Sequence, residues 1–202
     1  MKAWQSIGWY LEESIMSWPS EHRAETRNRI LYSAGELFTE KGFSGVSIDQ
    51  VMASAGLTRG AFYAHFNSKR ELYAEAIVFR AQQMGEKHPS NADALIRGYL
   101  STEHLSQEKG GCPLAFLVSD IGQQDQLIRE SYTSIFKELA KKVADSSHQP
   151  MDASTLRIMV LMVGGVAVAK ALNDPDLSLA VLEACCDGAL DERKTLSPHR
   201  NK

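Results

Sequence analysis

Three cysteines in 202 residues are too few and too awkwardly placed to staple a fold. The count is odd, and Cys185 and Cys186 are adjacent, a poor geometry for pairing with each other. No disulfide framework is expected, and a reducing compartment suits the chain. Long apolar runs are missing too: the most apolar stretch, Ile158 to Ala169, falls short of the about 20 residues that a bilayer span needs. The opening Met1-Lys2-Ala3-Trp4-Gln5 has neither the continuous apolar core nor the cleavage pattern of an export signal. These absences predict a cytoplasmic protein without a membrane segment. Charge of one sign is equally scarce, with a formal net charge of -3 and a pI near 6.1. Between Glu21 and Arg80 eight basic residues face seven acidic ones. A nucleic-acid partner would therefore have to be recognised by where charges lie, not by how many there are. The parts of a catalyst are absent as well: no Gly-rich phosphate loop, no carboxylate pair, no nucleophile–base constellation. No enzyme is expected. His88 and His104 are not at metal-ligand spacing with any cysteine or carboxylate cluster, so neither a metal nor a cofactor is expected. Internal repeats and strand patterns are also lacking, which predicts an all-α chain.

What is present is a 44% hydrophobic content, enough for a sizeable core, and a tightly punctuated stretch from Ser47 to Lys69. Ile48, Val51, Met52 and Ala55 recur at i, i+3, i+4 and i+7, one apolar helical stripe. Ala55-Gly56-Leu57-Thr58 is too short a joint for anything but a sharp corner. Phe62 and Phe66 lie one turn apart on the next helix and should share a small core. Ser47 with Gln50 reads as a capping box, Thr58 as the cap of the second helix, and Ser68 with Glu71 as another box. Two short helices crossing over a Gly-containing turn describe a helix-turn-helix, whose second helix enters a DNA major groove.

Upstream, Ile30, Leu31, Ala34, Leu37 and Phe38 form a helical stripe that Gly42 stops. Downstream, the patterns predict helices over Ser68 to Lys87, Ala92 to Gln107, Cys112-Pro113 to about Ile121, Gln126 to Ala144, Asp152 to Leu172 and Leu177 to Leu190, about nine helices in all. Pro89-Ser90-Asn91 is the first plausible break. Residues Met1 to Ser20 are an extra short helix, given the spacing of Trp4, Ile7, Tyr10 and Leu11, or a poorly ordered extension, or the result of a start codon assigned upstream of Met16.

The run Thr26-Arg27-Asn28-Arg29-Ile30-Leu31, then Ala34, Leu37-Phe38, Lys41-Gly42-Phe43, Ser47-Ile48, Ala55 through Tyr63, His65-Phe66 and Ser68-Lys69-Arg70-Glu71-Leu72 closely resembles the N-terminal signature of the tetracycline-repressor (TetR) family. Gly111-Cys112-Pro113-Leu114-Ala115 and Asn173-Asp174-Pro175-Asp176-Leu177-Ser178 look like one broad branch of it. Met52-Ala53, where the family often has Ile-Ala, and the N-terminal extension are departures. The resemblance implies a ligand-responsive repressor, active as a homodimer on a pseudo-palindromic operator of double-stranded DNA. It also implies a division into an extension (1–20), a three-helix DNA-binding domain (21–67) and a helical ligand-binding and dimerisation domain (68–202).

Within that frame the residues acquire roles. Gly60, Ala61 and Ala64 keep one face low, so the backbone can approach base edges. Arg59 can pair bidentately with guanine. Tyr63 and Lys69 suit phosphate, Ser47 and Thr58 offer hydroxyls at helix N-termini, and His65 is read as a DNA contact, with Arg27 and Arg29 as further phosphate candidates. The helix around Val160 to Val168 is apolar all round and holds two glycines that cost about 1 kcal/mol each relative to Ala, so another helix should press against it. The resemblance implies that Val163, Gly164 and Val166 form a dimer bundle with Leu179, Leu182 and Cys186 of the last helix. A mostly apolar effector cavity is expected among Met84, Tyr99, His104, Phe116, Tyr132, Phe136 and Met159. Cys112, just before Pro113, is an N-cap where helix amides favour a thiolate, which makes redox or electrophile sensing the alternative reading. Activation instead of repression is the other.

Overall fold

The computed structural model describes residues 20–85, 91–106, 111–144 and 152–196; the expectations for the N-terminal extension and for His88 fall outside them. Helix α1 (Ser20–Lys41) stops where predicted. Gly42 adopts φ 67°, the left-handed conformation that glycine takes without a steric penalty, and its N–H donates to Phe38 O at 2.8 Å. Helices α2 (Ile48–Ser54), α3 (Arg59–Phe62) and α4 (Lys69–Gly85) follow. Gly56 turns the corner between α2 and α3 with φ 66°.

The remainder comprises α5 (Ala92–Tyr99), α6 (Thr102–Leu105), α7 (Pro113–Phe116), α8 (Val118–Ile121), α9 (Gln126–Ala144), α10 (Ala153–Ala171) and α11 (Pro175–Leu196). Among the described residues there is no strand. Two of the expected nine helices are each split in two. Leu100 leaves the helical region (φ -93°, ψ 41°), and the extended Ser101 begins again, its hydroxyl accepting from His104 N at 3.2 Å. Leu117 (φ -109°, ψ 4°) separates α7 from α8.

Two hydrophobic clusters organise the chain. The head cluster gathers Ile30, Phe38, Val51, Met52, Phe62 and Phe66 with Leu72, Tyr73 and Ile77 of α4, and also takes Leu117, Ile121 and Ile128 from further along. Each fully buried side chain of this size contributes roughly 1.5–3 kcal/mol. The body cluster joins Leu95, Tyr99, Leu114, Ile135, Ile158, Met162, Val166 and Leu182. Val78 and Tyr132 pack against both.

At the seam sits Asp120. Its carboxylate accepts from Tyr73 Oη at 2.6 Å and from Phe43 N at 3.3 Å, tying α8 to the corner between α1 and α2. Helix α10, at 19 residues, is long enough to match a membrane span, longer than the apolar run suggested. Its Ile158, Met159, Met162 and Val166 are buried in the body core, while Leu156, Val160 and Val168 are exposed. The two glycines differ. A Cβ on Gly165 would lie 2.9 Å from Cys185 Cβ and 3.0 Å from Leu100 Cδ2, so this glycine permits the close approach of α11; one on Gly164 would meet nothing within 4 Å.

Candidate nucleic-acid interface and ligand cavity

The two capping predictions at the helix-turn-helix turn out differently. Ser47 forms both arms of its box: Gln50 N donates to Ser47 Oγ at 3.2 Å and Ser47 N to Gln50 Oε1 at 2.7 Å. Thr58 has the extended N-cap backbone but its side chain makes no capping bond; its hydroxyl is not used to start α3. That helix is also shorter than expected. After Phe62 the chain tightens, with His65 N and Phe66 N both donating to Phe62 O at 2.9 and 3.0 Å. The second box is shifted by one residue: Glu71 N donates to Ser68 Oγ at 3.1 Å, yet the Glu71 carboxylate accepts from Asn67 N at 2.8 Å.

Five of the eight predicted DNA-binding residues line two open concavities on either side of α3. Ser47, Arg59 and Lys69 border one, together with Asp49 and Gln50. Ala61 and His65 border the other, with His22, Arg23 and Thr26 of α1. Tyr63 stands out from both, 60% exposed, its ring edge-on to Phe62 at 5.1 Å. A Cβ on Gly60 would meet only Thr58 Oγ1, at 3.9 Å. No contact among the described residues requires glycine there.

Charges on this face are partly held in place. Arg59 Nη1 donates to Asp49 Oδ2 at 2.7 Å, and both side chains are more than half exposed, so the pair is worth little on its own and can be exchanged for a base or phosphate. Lys69 Nζ lies 4.2 Å from the centroid of the Phe43 ring; burial pulls its pKa down, against the pull of Asp120. Arg27 and Arg29, expected as phosphate candidates, are turned inward instead. Arg27 pairs with Glu75 and lies 4.8 Å over the Phe66 ring; Arg29 Nη2 donates to Ala55 O at 2.7 Å. Arg23, 41 residues from the carbonyl of Ala64 to which it donates at 3.0 Å, gave no sign in the sequence of belonging to this face. Neither did Asp49 as the partner of Arg59.

His65 is half buried, and its Nδ1 is buried without a hydrogen-bond partner. Burial lowers its pKa from 6.5, and the neighbouring Arg23 and Arg27 lower it further. Since the folded-state value lies below the unfolded one, the unfolded chain takes up the proton first as pH falls. Stability is full above about pH 6.5 and declines below it. A His65→Gln variant should therefore show a flatter dependence of urea midpoint on pH between 7 and 5, a range set by the ordinary histidine value; an unchanged slope would remove His65 from this account.

In the body, a cavity of about 300 Å³ lies between the last turns of α4, the α5–α6 corner, α7 and α9. Met84, Tyr99 and His104 line it as expected, joined by Cys112, Leu114, Ile135 and Leu139. The other four predicted lining residues are elsewhere. Phe116 sits under Lys170, whose Nζ is 5.1 Å from the ring centroid. Tyr132 spends its hydroxyl on Leu114 O at 2.7 Å, Phe136 packs on the body core, and Met159 is completely buried in it. Cys112 is indeed the N-cap of α7, but that helix is one turn long and the thiol makes no capping bond. Burial pushes its pKa up, opposite to the activation expected of an N-cap thiolate.

Residues 30–76 match the family described as bacterial regulatory proteins, tetR family. The chain is 28% identical over 71% of its length to the HTH-type transcriptional regulator AcrR of Shigella flexneri, covering 75% of that protein. It is 42% identical over 34% of its length to the HTH-type transcriptional regulator SrpR of Pseudomonas putida, of which 30% is covered. The fold matches a TetR transcriptional regulator from Chloroflexus aurantiacus J-10-FL over 88% of this chain and 97% of that one, with a TM-score of 0.63 at 21% identity. Residues 30–76 carry the tetR-family DNA-binding signature, and the chain resembles regulators of that family over most of its length. It is a transcriptional regulator with an N-terminal helix-turn-helix domain and a C-terminal helical domain.

Of the residues expected at a dimer interface, several lie inside the chain's own core. Val163, Val166 and Leu182 are buried in the chain's own body core. The open stripe on α10 is Leu156, Val160, Gly164 and Val168, each one turn from the next, with Val160 67% exposed. Leu177 and Leu179 of α11 are also exposed; Cys186 is half buried. Of the six predicted residues, Gly164 and Leu179 face outward.

Proposed function

We propose that this TetR-family regulator is a repressor: a homodimer holds a pseudo-palindromic operator and releases it when a small, mostly apolar molecule enters the body cavity. One observation carries the reading. Helix α4 is unbroken from Lys69, on the rim of the head's concavity, to Met84 and Gly85 on the cavity wall. At 1.5 Å per residue it joins the two places over roughly 22 Å. A ligand that wedges α4 away from α9 tilts its far end, and the spacing of the two α3 helices departs from the about 34–36 Å that successive major grooves require. The shift is only as large as the ligand's preference for the tilted state. Dimerisation runs through the Leu156–Val160–Gly164–Val168 stripe of α10 and the exposed Leu177 and Leu179 of α11, which an isolated chain leaves in water.

On DNA, Arg59 exchanges Asp49 for a guanine edge, Gly60 and Ala61 allow α3 to approach, and Ser47, Thr58, Tyr63, His65 and Lys69 position it on phosphates. Arg59→Ala is expected to weaken binding to the intergenic DNA beside its gene by about 1–3 kcal/mol and to relax preference at one base pair. Lys69→Ala should weaken all sequences evenly and reduce the salt slope by about one. Gel-shift titrations across a salt series distinguish them; unaltered binding in both variants would overturn the assignment. Reporter transcription that falls instead of rising when the gene is deleted would mark an activator. A redox switch at Cys112 is not favoured, because the buried thiol keeps its proton.

A further inference from the structure

The cavity floor has an unusual hydrogen bond. Tyr99 Oη lies 3.1 Å from Cys112 Sγ; both residues line the cavity, and both are almost fully buried. The His104 ring covers Tyr99 at 4.4 Å between centroids. A thiol is a weak donor and a weak acceptor, so a buried phenol paired with sulfur retains an unmet demand for an oxygen partner. Burial keeps both protons in place, so neither Tyr99 nor Cys112 brings a charge to the floor. The formal charges among the lining residues are Glu138 and Lys142 of α9. They are opposite in sign, exposed to solvent and already engaged, Glu138 with Lys141 and Lys142 with Gly85 O. The walls between floor and rim are Val78, Met84, Ile135 and Leu139.

We infer that the cavity takes an uncharged, mostly apolar compound bearing one acceptor oxygen, as in a ketone, whose oxygen displaces the Cys112 thiol from the Tyr99 hydroxyl. This rests on reading the cavity as the effector site and adds what enters it. An apolar body satisfies the walls, and the oxygen gives the phenol a better partner than sulfur. An anionic ligand would bury its charge beside Tyr99 and Cys112, where Arg80 acts on Cys112 from outside the lining residues and forms no part of the wall, at considerable cost.

Three fluorescent probes separate these features: prodan (an uncharged naphthyl ketone), phenylnaphthylamine (uncharged, without oxygen) and anilinonaphthalene sulfonate (an anion). Prodan should bind saturably with blue-shifted emission, and filling the cavity with Leu139→Trp should abolish that. Tyr99→Phe should weaken prodan by about three- to tenfold, the worth of one hydrogen bond, and leave phenylnaphthylamine unchanged. Cys112 supplies a test of opposite signs that does not depend on Tyr99→Phe folding well. Cys112→Ala removes the competing partner and should tighten prodan, whereas Cys112→Ser gives Tyr99 a better partner and should weaken it. Prodan binding that ignores Tyr99 and Cys112, or a sulfonate that binds more tightly, would overturn the assignment and leave the cavity reading intact. Failure of all three probes to enter the wild-type chain would overturn the cavity reading and the assignment together.

Discussion

Val160→Arg is expected to yield a folded chain that sediments as a monomer and binds operator DNA at least a hundredfold more weakly. Val160 is 67% exposed at the centre of the open α10 stripe, so the substitution removes nothing from the chain's own core. Across a twofold axis the same face meets itself, and each arginine introduced is matched by its copy. Two like charges on an apolar face would have to be desolvated together, which costs more than the face can return. A monomer then offers one head to one half-site, and the gain of linking two heads, commonly 10²–10⁴ in affinity, disappears. Val163→Arg makes the contrast. That residue is 7% exposed, so the same charge buried in the body should unfold the chain. Sedimentation at micromolar concentration and circular dichroism read both; a Val160→Arg protein that stays dimeric would show that the stripe is not the interface.

The second large effect is expected at Asp120. Truncation by Asp120→Ala leaves the fully buried Tyr73 without its 2.6 Å acceptor and Phe43 N–H without its carboxylate. Leaving such groups unpaired costs about 1–3 kcal/mol each, so a loss of about 2–4 kcal/mol in urea unfolding follows. Tyr73→Phe removes the donor as well, and the double variant Asp120→Ala/Tyr73→Phe should cost less than the two single changes added together. Strict additivity would mean that the bond contributes nothing. Because Phe43 is the ring under Lys69, operator affinity should also fall, and it should do so without a change of base preference.

Much of the head was legible before the structure because its signals are local. Ser47 and Gln50 are three residues apart, Gly42 and Gly56 occupy positions that demand a left-handed backbone, and the Phe62–Phe66 spacing is one helical turn. Helix α9 likewise ran between the expected residues, Gln126 and Ala144. What stayed hidden depends on packing between distant segments. Leu100 continues the apolar stripe of α5 and gives no local hint that the helix breaks after Tyr99. Arg27 reads as a surface cation until Glu75, 48 residues away, turns it inward. The phase of α10 was unreadable for a related reason. A helix apolar on every side marks no inner face, so the pattern does not distinguish the buried Val163 and Val166 from the exposed Val160 and Val168. In the cavity, the rotation of neighbouring helices decides which side chains line it, and spacing alone does not separate Phe116, Tyr132, Phe136 and Met159 in the packing from Leu139 and Ile135 on the wall.

The head's hydrophobic cluster bears on how such regulators can be recombined. A chimera spliced at residue 67 would seem to exchange one operator preference for another, yet that cut passes through a single packed unit. Leu72, Tyr73 and Ile77, up to the middle of α4, and Leu117 and Ile121 forty or more residues later, all belong to the same cluster as Phe38 and Phe62. A transplanted head would meet these unfamiliar side chains, and its Phe43 N–H would have no assured carboxylate at position 120 to donate to. The exchangeable module is thus discontinuous in sequence: it extends through Ile77 and brings α8 with it, and α4 beyond Val78 stays with the recipient.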